Sequence, residues 1–241
     1  MRTLALALAT LFAALSAVPA QAQQVVTWVV VEEWTETGAS RMFPAQARVE
    51  EQAIARYGPF RVLDDSRAAL VDVTDTASPA QFSAMLRDYP ALATLELVEC
   101  PGTDDDRANF RLGRMIRERG IATHVPDGGS VRSGAVELFL AGASRRIDDG
   151  AEFAVHSWMD ESGREARDFA ADAAVHDPYL AYYREMGMDA GHAERFYAMT
   201  NSVGFTDAKW MDADEMRGWL EQPAAAPAPK LAYLDLSLAL P

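Results

Sequence analysis

The segment from Gly129 to Trp158, GSVRSGAVELFLAGASRRIDDGAEFAVHSW, constrains the fold most, because it sets a serine before a short apolar helix and a histidine after a strand. A serine hydroxyl is a poor nucleophile at neutral pH, so acyl chemistry needs an imidazole within hydrogen-bond reach to take its proton. Ser133 and His156 are the candidate nucleophile and base, and the fold must bring them together. The run VELFLAG reads as a buried helix ending at Gly142, a residue suited to a helix C-cap. Ser133 then lies at the helix start, where unpaired backbone N–H groups, Gly134 among them, favour the negative oxygen of a tetrahedral intermediate. Beyond the helix, ASRRIDDGAEFAVHS reads as two short strands around the turn Asp148-Asp149-Gly150, the second returning His156 toward Ser133. The GxSxG elbow of the α/β-hydrolases is absent, since Ser133 sits in V-R-S-G-A.

Upstream, the elements read in order as a strand AALVDVTD, a helix SPAQFSAMLRDYP and a strand ATLELVE running into Cys100-Pro101-Gly102. A long helix to Gly120 and a strand IATHV follow, and then the serine segment, with Ser133 nine residues before Gly142. In this pattern the chain resembles the Clp-protease/crotonase superfamily, and within it the secreted bacterial branch of predicted periplasmic Clp-like proteins, over roughly residues 68 to 220. The resemblance implies an α/β fold, a Clp/crotonase-like spiral of β-β-α units with a helical C-terminal part. It also implies a peptide or protein substrate, chemistry without a cofactor, and an oxyanion hole in which the amide of Gly102 joins that of Gly134. In the family a third catalytic residue, usually Asp, falls just before the place occupied here by WMDADEM. Counting back gives Ala208, so the resemblance makes the adjacent Asp207 the first choice to orient the histidine and Asn201 the second. Two departures stand out. Thr103 follows Gly102 where the family turn normally has a second glycine, and Arg132 and Gly134 flank the serine where the secreted branch often carries small residues and cysteines.

Residues 1 to 22 combine Arg2, the apolar run LALALATLFAALSAV and Ala20-Gln21-Ala22, which read together as a secretory signal peptide cleaved after Ala22. The expected location is periplasmic or secreted. No other segment is apolar and long enough to span a bilayer, so the mature form is expected to have no membrane span. Residues 23–66 read as an N-terminal extension, with a strand VVTWVVV and a helix FPAQARVEEQAIARY, and residues 67–222 as the Clp/crotonase-like domain. In 223–241 a semi-rigid linker, PAAAPAPK, leads to a strand-like tail in which Leu234, Leu236, Leu238 and Leu240 alternate with less apolar residues. Such a strand could close the chain's own sheet or add to a neighbouring subunit, which allows a homo-oligomer. With 241 residues, 49% of them hydrophobic, the chain can bury one continuous core without a second domain.

The net charge is −14 and the only lysines are Lys209 and Lys230, which argues against nucleic acid as a partner and against acyl-CoA as a substrate. A Ser-Lys dyad has only those two candidates. Asp104-Asp105-Asp106 opens a helix, where acids complement the helix dipole; alternatively they make the mouth of the site unwelcoming to anions. The single Cys100 excludes an intramolecular disulfide and leaves a catalytic thiol as a minor reading. His124, His176 and His192 lack metal-pair spacing and no HExxH occurs, so no metal is expected. Ser130, preceded by two glycines, reads as an exposed hydroxyl. Helix starts are expected at Ser78-Pro79-Ala80-Gln81, at Asp177-Pro178 and after Gly187, with a capping box at Asp212 to Glu215. The function these features point to is an exported serine hydrolase, a peptidase acting on short or unfolded peptides. The alternative is a non-catalytic periplasmic binding or assembly module that keeps the fold.

Overall fold

The computed structural model describes residues 44–220. Its architecture is α/β, built on two sheets. Helix α1 (Pro44–Gln52) precedes a meander of β1 (Ala55–Tyr57), β2 (Phe60–Val62) and β3 (Arg67–Leu70). The helix expected over FPAQARVEEQAIARY therefore stops early. Gly58, at φ +57°, turns the chain with Pro59, and Ala55–Tyr57 pairs antiparallel with Phe60–Val62 instead of continuing the helix. Helix α2 (Ser78–Asp88) forms where expected, but Ser78 is its first residue rather than its cap, and Asp75 in the preceding turn accepts from the N–H groups of Ala77 and Ser78. Gln81 does not reach back to the helix start; its buried Oε1 accepts from no described group.

From here the chain repeats one pattern. Strand β4 (Thr94–Leu97), strand β5 (Glu99–Cys100) and helix α3 (Asp106–Glu118) form one unit; β6 (Ala122–Val125), β7 (Ser130–Arg132) and α4 (Ala135–Leu140) form the next. Strands β8 (Arg145–Ile147) and β9 (Glu152–Val155) begin a third. In each unit the first strand joins a six-stranded sheet, ordered β1-β2-β3-β4-β6-β8. The second strand joins a four-stranded sheet, β10-β9-β7-β5, where β10 is Lys209–Asp212. This alternation is the expected spiral of β-β-α units. It also means that β8 and β9, although joined by the Asp148-Asp149-Gly150 turn, are not a hairpin: β8 pairs with β6 and β9 with β7.

The C-terminal part is helical as expected, with α5 (Asp177–Glu185), α6 (Ala190–Thr200) and α7 (Ala213–Leu220). Asp189 caps α6 through the N–H of His192, and Asp212 accepts from the N–H of Glu215 at the start of α7. Between the sheets and helices lies one main core, including Phe139 and Phe153 with ring centres 5.3 Å apart and both fully buried. Truncating either ring to alanine should cost about 3–5 kcal/mol. Among the described residues, no helix is long and apolar enough to cross a membrane. The leader 1–22, the strand expected at 25–31 and the tail 223–241 lie outside the described residues.

Candidate active site

Strand register builds the site. Cys100 of β5 lies opposite Val131 of β7, and Arg132 of β7 opposite Ala154 of β9, all parallel. Three neighbouring strands thus end side by side, and the residues just beyond their C-terminal ends are Gly102, Ser133 and His156. The ends of parallel strands are where open α/β sheets characteristically bind ligands.

Ser133 has φ +48°, and no other non-glycine described residue has a positive φ. For an L-residue this is a strained conformation, held only where surrounding bonds over-determine it. Here its N–H donates to Ala154 O at 2.8 Å and its carbonyl accepts from Val136 N–H at 2.9 Å. The result is a sharp strand-to-helix corner presenting a serine, the geometry that GxSxG supplies in α/β-hydrolases, reached here from V-R-S-G-A.

Both glycines beside Ser133 are required by close approach. A Cβ on Gly134 would lie 2.4 Å from Thr103 Cγ2; one on Gly102, at φ +139°, would lie 2.9 Å from Ser133 Cβ. Thr103 itself needs no glycine, because its φ is not positive and its hydroxyl bonds Thr74 O at 3.1 Å. A buried pair braces the two turns. Asn109 Nδ2 donates to Gly134 O at 2.6 Å, and its Oδ1 accepts from Thr74 Oγ1 at 3.1 Å, while Thr74 N–H donates to Gly102 O at 3.1 Å. Neither the Gly102 nor the Gly134 N–H donates to another described residue; Gly134 lines the cleft beside Ser133, and Gly102 lies buried behind it against Ser133. Arg132 also has a structural reason: its guanidinium pairs with Glu99 across β5 and β7 at 2.5 Å and bonds Ser130 Oγ at 2.8 Å. Ser130 is therefore fully buried, contrary to the expected exposed hydroxyl, because the strand turns it inward to Arg132.

Ser133, Gly134 and His156 line one cleft of about 320 Å³, together with Thr103, Asp104, Asp106, Glu137, Trp158, Tyr179, Tyr183, Thr200, Asn201 and Phe205 among others. His156 Nδ1 lies 2.9 Å from Ser157 O. A carbonyl only accepts, so Nδ1 carries the proton and the neutral ring keeps Nε2 as its basic nitrogen. Phe205 meets the ring edge-on, centres 5.0 Å apart. Among the described residues, no hydrogen bond joins Ser133 Oγ to the imidazole.

Asp207, the first choice as orienting group, is exposed in the turn before β10 and does not line the cleft; its N–H donates to Gly204 O. That bond closes the turn, and the Asp207 side chain is left exposed on it. Asn201 lines the cleft, but its Nδ2 bonds Tyr197 O and Thr200 Oγ1 rather than the histidine. The histidine's observed partner is the neighbouring carbonyl.

Two acids of the cleft carry more than the sequence suggested. Glu137, one helical turn after Ser133 and 7% exposed, accepts from Tyr183 OH at 2.7 Å. Burial pushes its carboxyl up to about 7, helped by the charge of Asp106. Burial also raises Asp106, whose Oδ2 accepts from Tyr179 OH at 2.5 Å, with Asp105 adding to the rise and His156 opposing it. A charged residue inside the otherwise apolar AVELFL was the available signal for Glu137.

The minor readings find no geometry. Cys100 is fully buried, its thiol pushed well above the ordinary range by burial. Lys209 pairs with Glu215 at 2.6 Å. His176 bonds Ala170 O through Nε2 and Tyr197 OH through Nδ1, and His124 pairs with Asp148. Among the described residues no group of three His, Cys, Asp or Glu side chains could hold a metal ion.

No protein-family model matches the sequence, and no curated protein matches it. In structure the chain is similar to the membrane-bound stomatin-specific protease 1510-N, in a mutant complexed with a substrate peptide. Identity there is 16% over 62% of this chain and 71% of that one, with a TM-score of 0.42. A second mutant of the same protease gives 15% over 62% and 75%, also at 0.42. A mutant ClpP1 from Listeria monocytogenes gives 14% over 65% and 88%, at 0.47.

Proposed function

We propose that this chain is an exported serine hydrolase that cleaves peptide bonds in short or unfolded peptides without a cofactor. The observation that carries the reading is the strained corner at Ser133, set beside His156 and two unpaired amides at the ends of three adjacent parallel strands. Ser133 Oγ attacks the scissile carbonyl while His156 Nε2 takes its proton. The Gly102 and Gly134 N–H groups hold the oxyanion, and the imidazolium then gives its proton to the leaving amine. Water repeats the cycle on the acyl-enzyme. Ser157 O fixes the tautomer in place of a carboxylate, so the imidazolium gains less stabilisation than an aspartate would give.

The alternative, a non-catalytic periplasmic binding module, draws on the unmade Ser133–His156 hydrogen bond. Catalytic hydrogen bonds often tighten only when substrate binds, which favours the enzyme reading. A library of short peptides and esters tests it directly. Hydrolysis that disappears in Ser133→Ala is expected, and none by wild type would leave the binding module.

Export rests on the leader at residues 1 to 22, and intact mass of the exported protein should begin at Gln23. A mass retaining the leader would mean an anchor instead. The proposed organisation is leader, extension 23–66, catalytic domain 67–222 and tail 223–241, the tail offering a strand to a second subunit.

A further inference from the structure

We propose that the cleft beside Ser133 recognises a cationic group, the side chain of a Lys or Arg next to the bond being cleaved. This rests on the reading of Ser133 as the nucleophile. Three carboxyl groups, Asp104, Asp106 and Glu137, line a cleft in which no lysine or arginine takes part. Glu137 is more than nine-tenths buried, and apart from its own N–H the donor it meets among the described residues is Tyr183 OH. Once ionised, a buried carboxylate needs a countercharge, and among the described residues no lysine or arginine supplies one to Glu137.

The walls fit the same ligand. Trp158 stacks on Tyr179, centres 6.0 Å apart and planes 11° apart, and Tyr183 and Phe205 complete the lining. Aromatic faces attract ammonium and guanidinium groups, most strongly where water is excluded. At about 320 Å³ the cleft holds a long side chain and little more. Glu137 lies in the first turn of α4, just after the Ser133 corner, and both line the cleft, so a cation held by Glu137 would bring its own backbone toward the serine.

The groups facing Glu137 are Asp106 from α3 and Tyr179, Tyr182 and Tyr183 from α5, while His156 beyond β9 acts on Asp106. A cation should therefore bind more tightly as Glu137 ionises, with affinity rising between pH 6 and 8.

The test uses wild-type protein with benzamidinium and its neutral isostere benzamide, followed by calorimetry, and Lys, Arg and Leu ester substrates in parallel. Benzamidinium should bind at least tenfold more tightly than benzamide, and Glu137→Gln, which keeps the Tyr183 hydrogen bond, should erase most of that preference. Asp106→Asn serves if Glu137→Gln fails to fold. Lys and Arg esters should exceed the Leu ester in kcat/KM by tenfold or more. Equal binding of the two probes, or no change in either variant, overturns the proposal. If Ser133 is modified by a fluorophosphonate but the Leu ester turns over as fast as the Lys ester, cation selectivity fails while the hydrolase stands. Glu137-dependent benzamidinium binding by a protein that never reacts at Ser133 upholds cation recognition and removes the hydrolase.

Discussion

The two sides of the cleft are built differently. On the side of the proposed nucleophile, Ser133, Gly134 and Gly102 are held by strand ends, close backbone approaches and the buried Asn109–Thr74 brace, with polar bonds between 2.6 and 3.3 Å. On the base side, His156 begins an irregular stretch that runs through two 3-10 turns to α5, and a neighbouring carbonyl and one aromatic edge hold the ring. In the proposed mechanism the oxyanion corner is pre-organised by the sheet, whereas the proposed base sits on a loop and would complete its geometry when substrate binds. Preorganised donors cost no reorganisation at the moment of reaction.

The largest effect that would break this comparison is expected at the base. His156→Ala should slow hydrolysis and fluorophosphonate labelling by about 10²–10⁴ while leaving the melting temperature almost unchanged, because the ring is partly exposed. A large drop in stability together with the rate would mean that the base side is as rigid as the other.

Asn109→Ala should do the opposite. It leaves the Gly134 carbonyl without its buried partner and the Thr74 hydroxyl with only its longer bond to Gly102 O, and should cost about 1–3 kcal/mol in denaturant unfolding. It should also lower kcat by about 10² through a displaced amide, with KM little changed. An unchanged kcat in the folded variant would show that the brace serves stability alone.

Glu137 sharpens the contrast through pH. Its carboxyl sits at about 7 rather than the ordinary 4.5, so folded protein holds this proton more tightly than unfolded protein does. The stability tied to that proton is full below 4.5, declines as pH rises through the interval and is lost above 7, about 3 kcal/mol in all. Asp106, raised by the same burial, acts in the same direction. Urea melts from pH 4.5 to 8 should show the decline, and Glu137→Gln should flatten it; a parallel decline in the variant would assign it to other groups.

The smallest effect is expected at Asp207. Exposed and outside the cleft, it should tolerate alanine with no more than a twofold change in kcat/KM. A drop of a hundredfold would restore the carboxylate as the orienting group.

These contrasts also explain what the sequence made legible. The placement of Ser133, Gly134, Gly102 and His156 just beyond strand ends could be read because strand, turn and helix signals are local, and register then aligned three strand ends. The elbow at Ser133 carries no motif, since its strain comes from bonds to Ala154 and Val136 that only the fold supplies. Counting from a helix start leads to Asp207, which the structure places exposed and outside the cleft, because such counting carries no information on the path of an intervening turn. Ser130 looked exposed after two glycines, yet a partner on a neighbouring strand draws it inward. The two strands around Asp148-Asp149-Gly150 were legible from their turn, but their assignment to different sheets was not, because tertiary pairing decides it.

The central claim is that Ser133 is an activated nucleophile, and active-site labelling tests it most directly. Wild-type protein treated with a fluorophosphonate should gain one adduct that peptide mass mapping places on Ser133, with none in Ser133→Ala and normal labelling in Ser130→Ala. No adduct on wild type, under conditions where a known serine hydrolase reacts fully, would contradict the account.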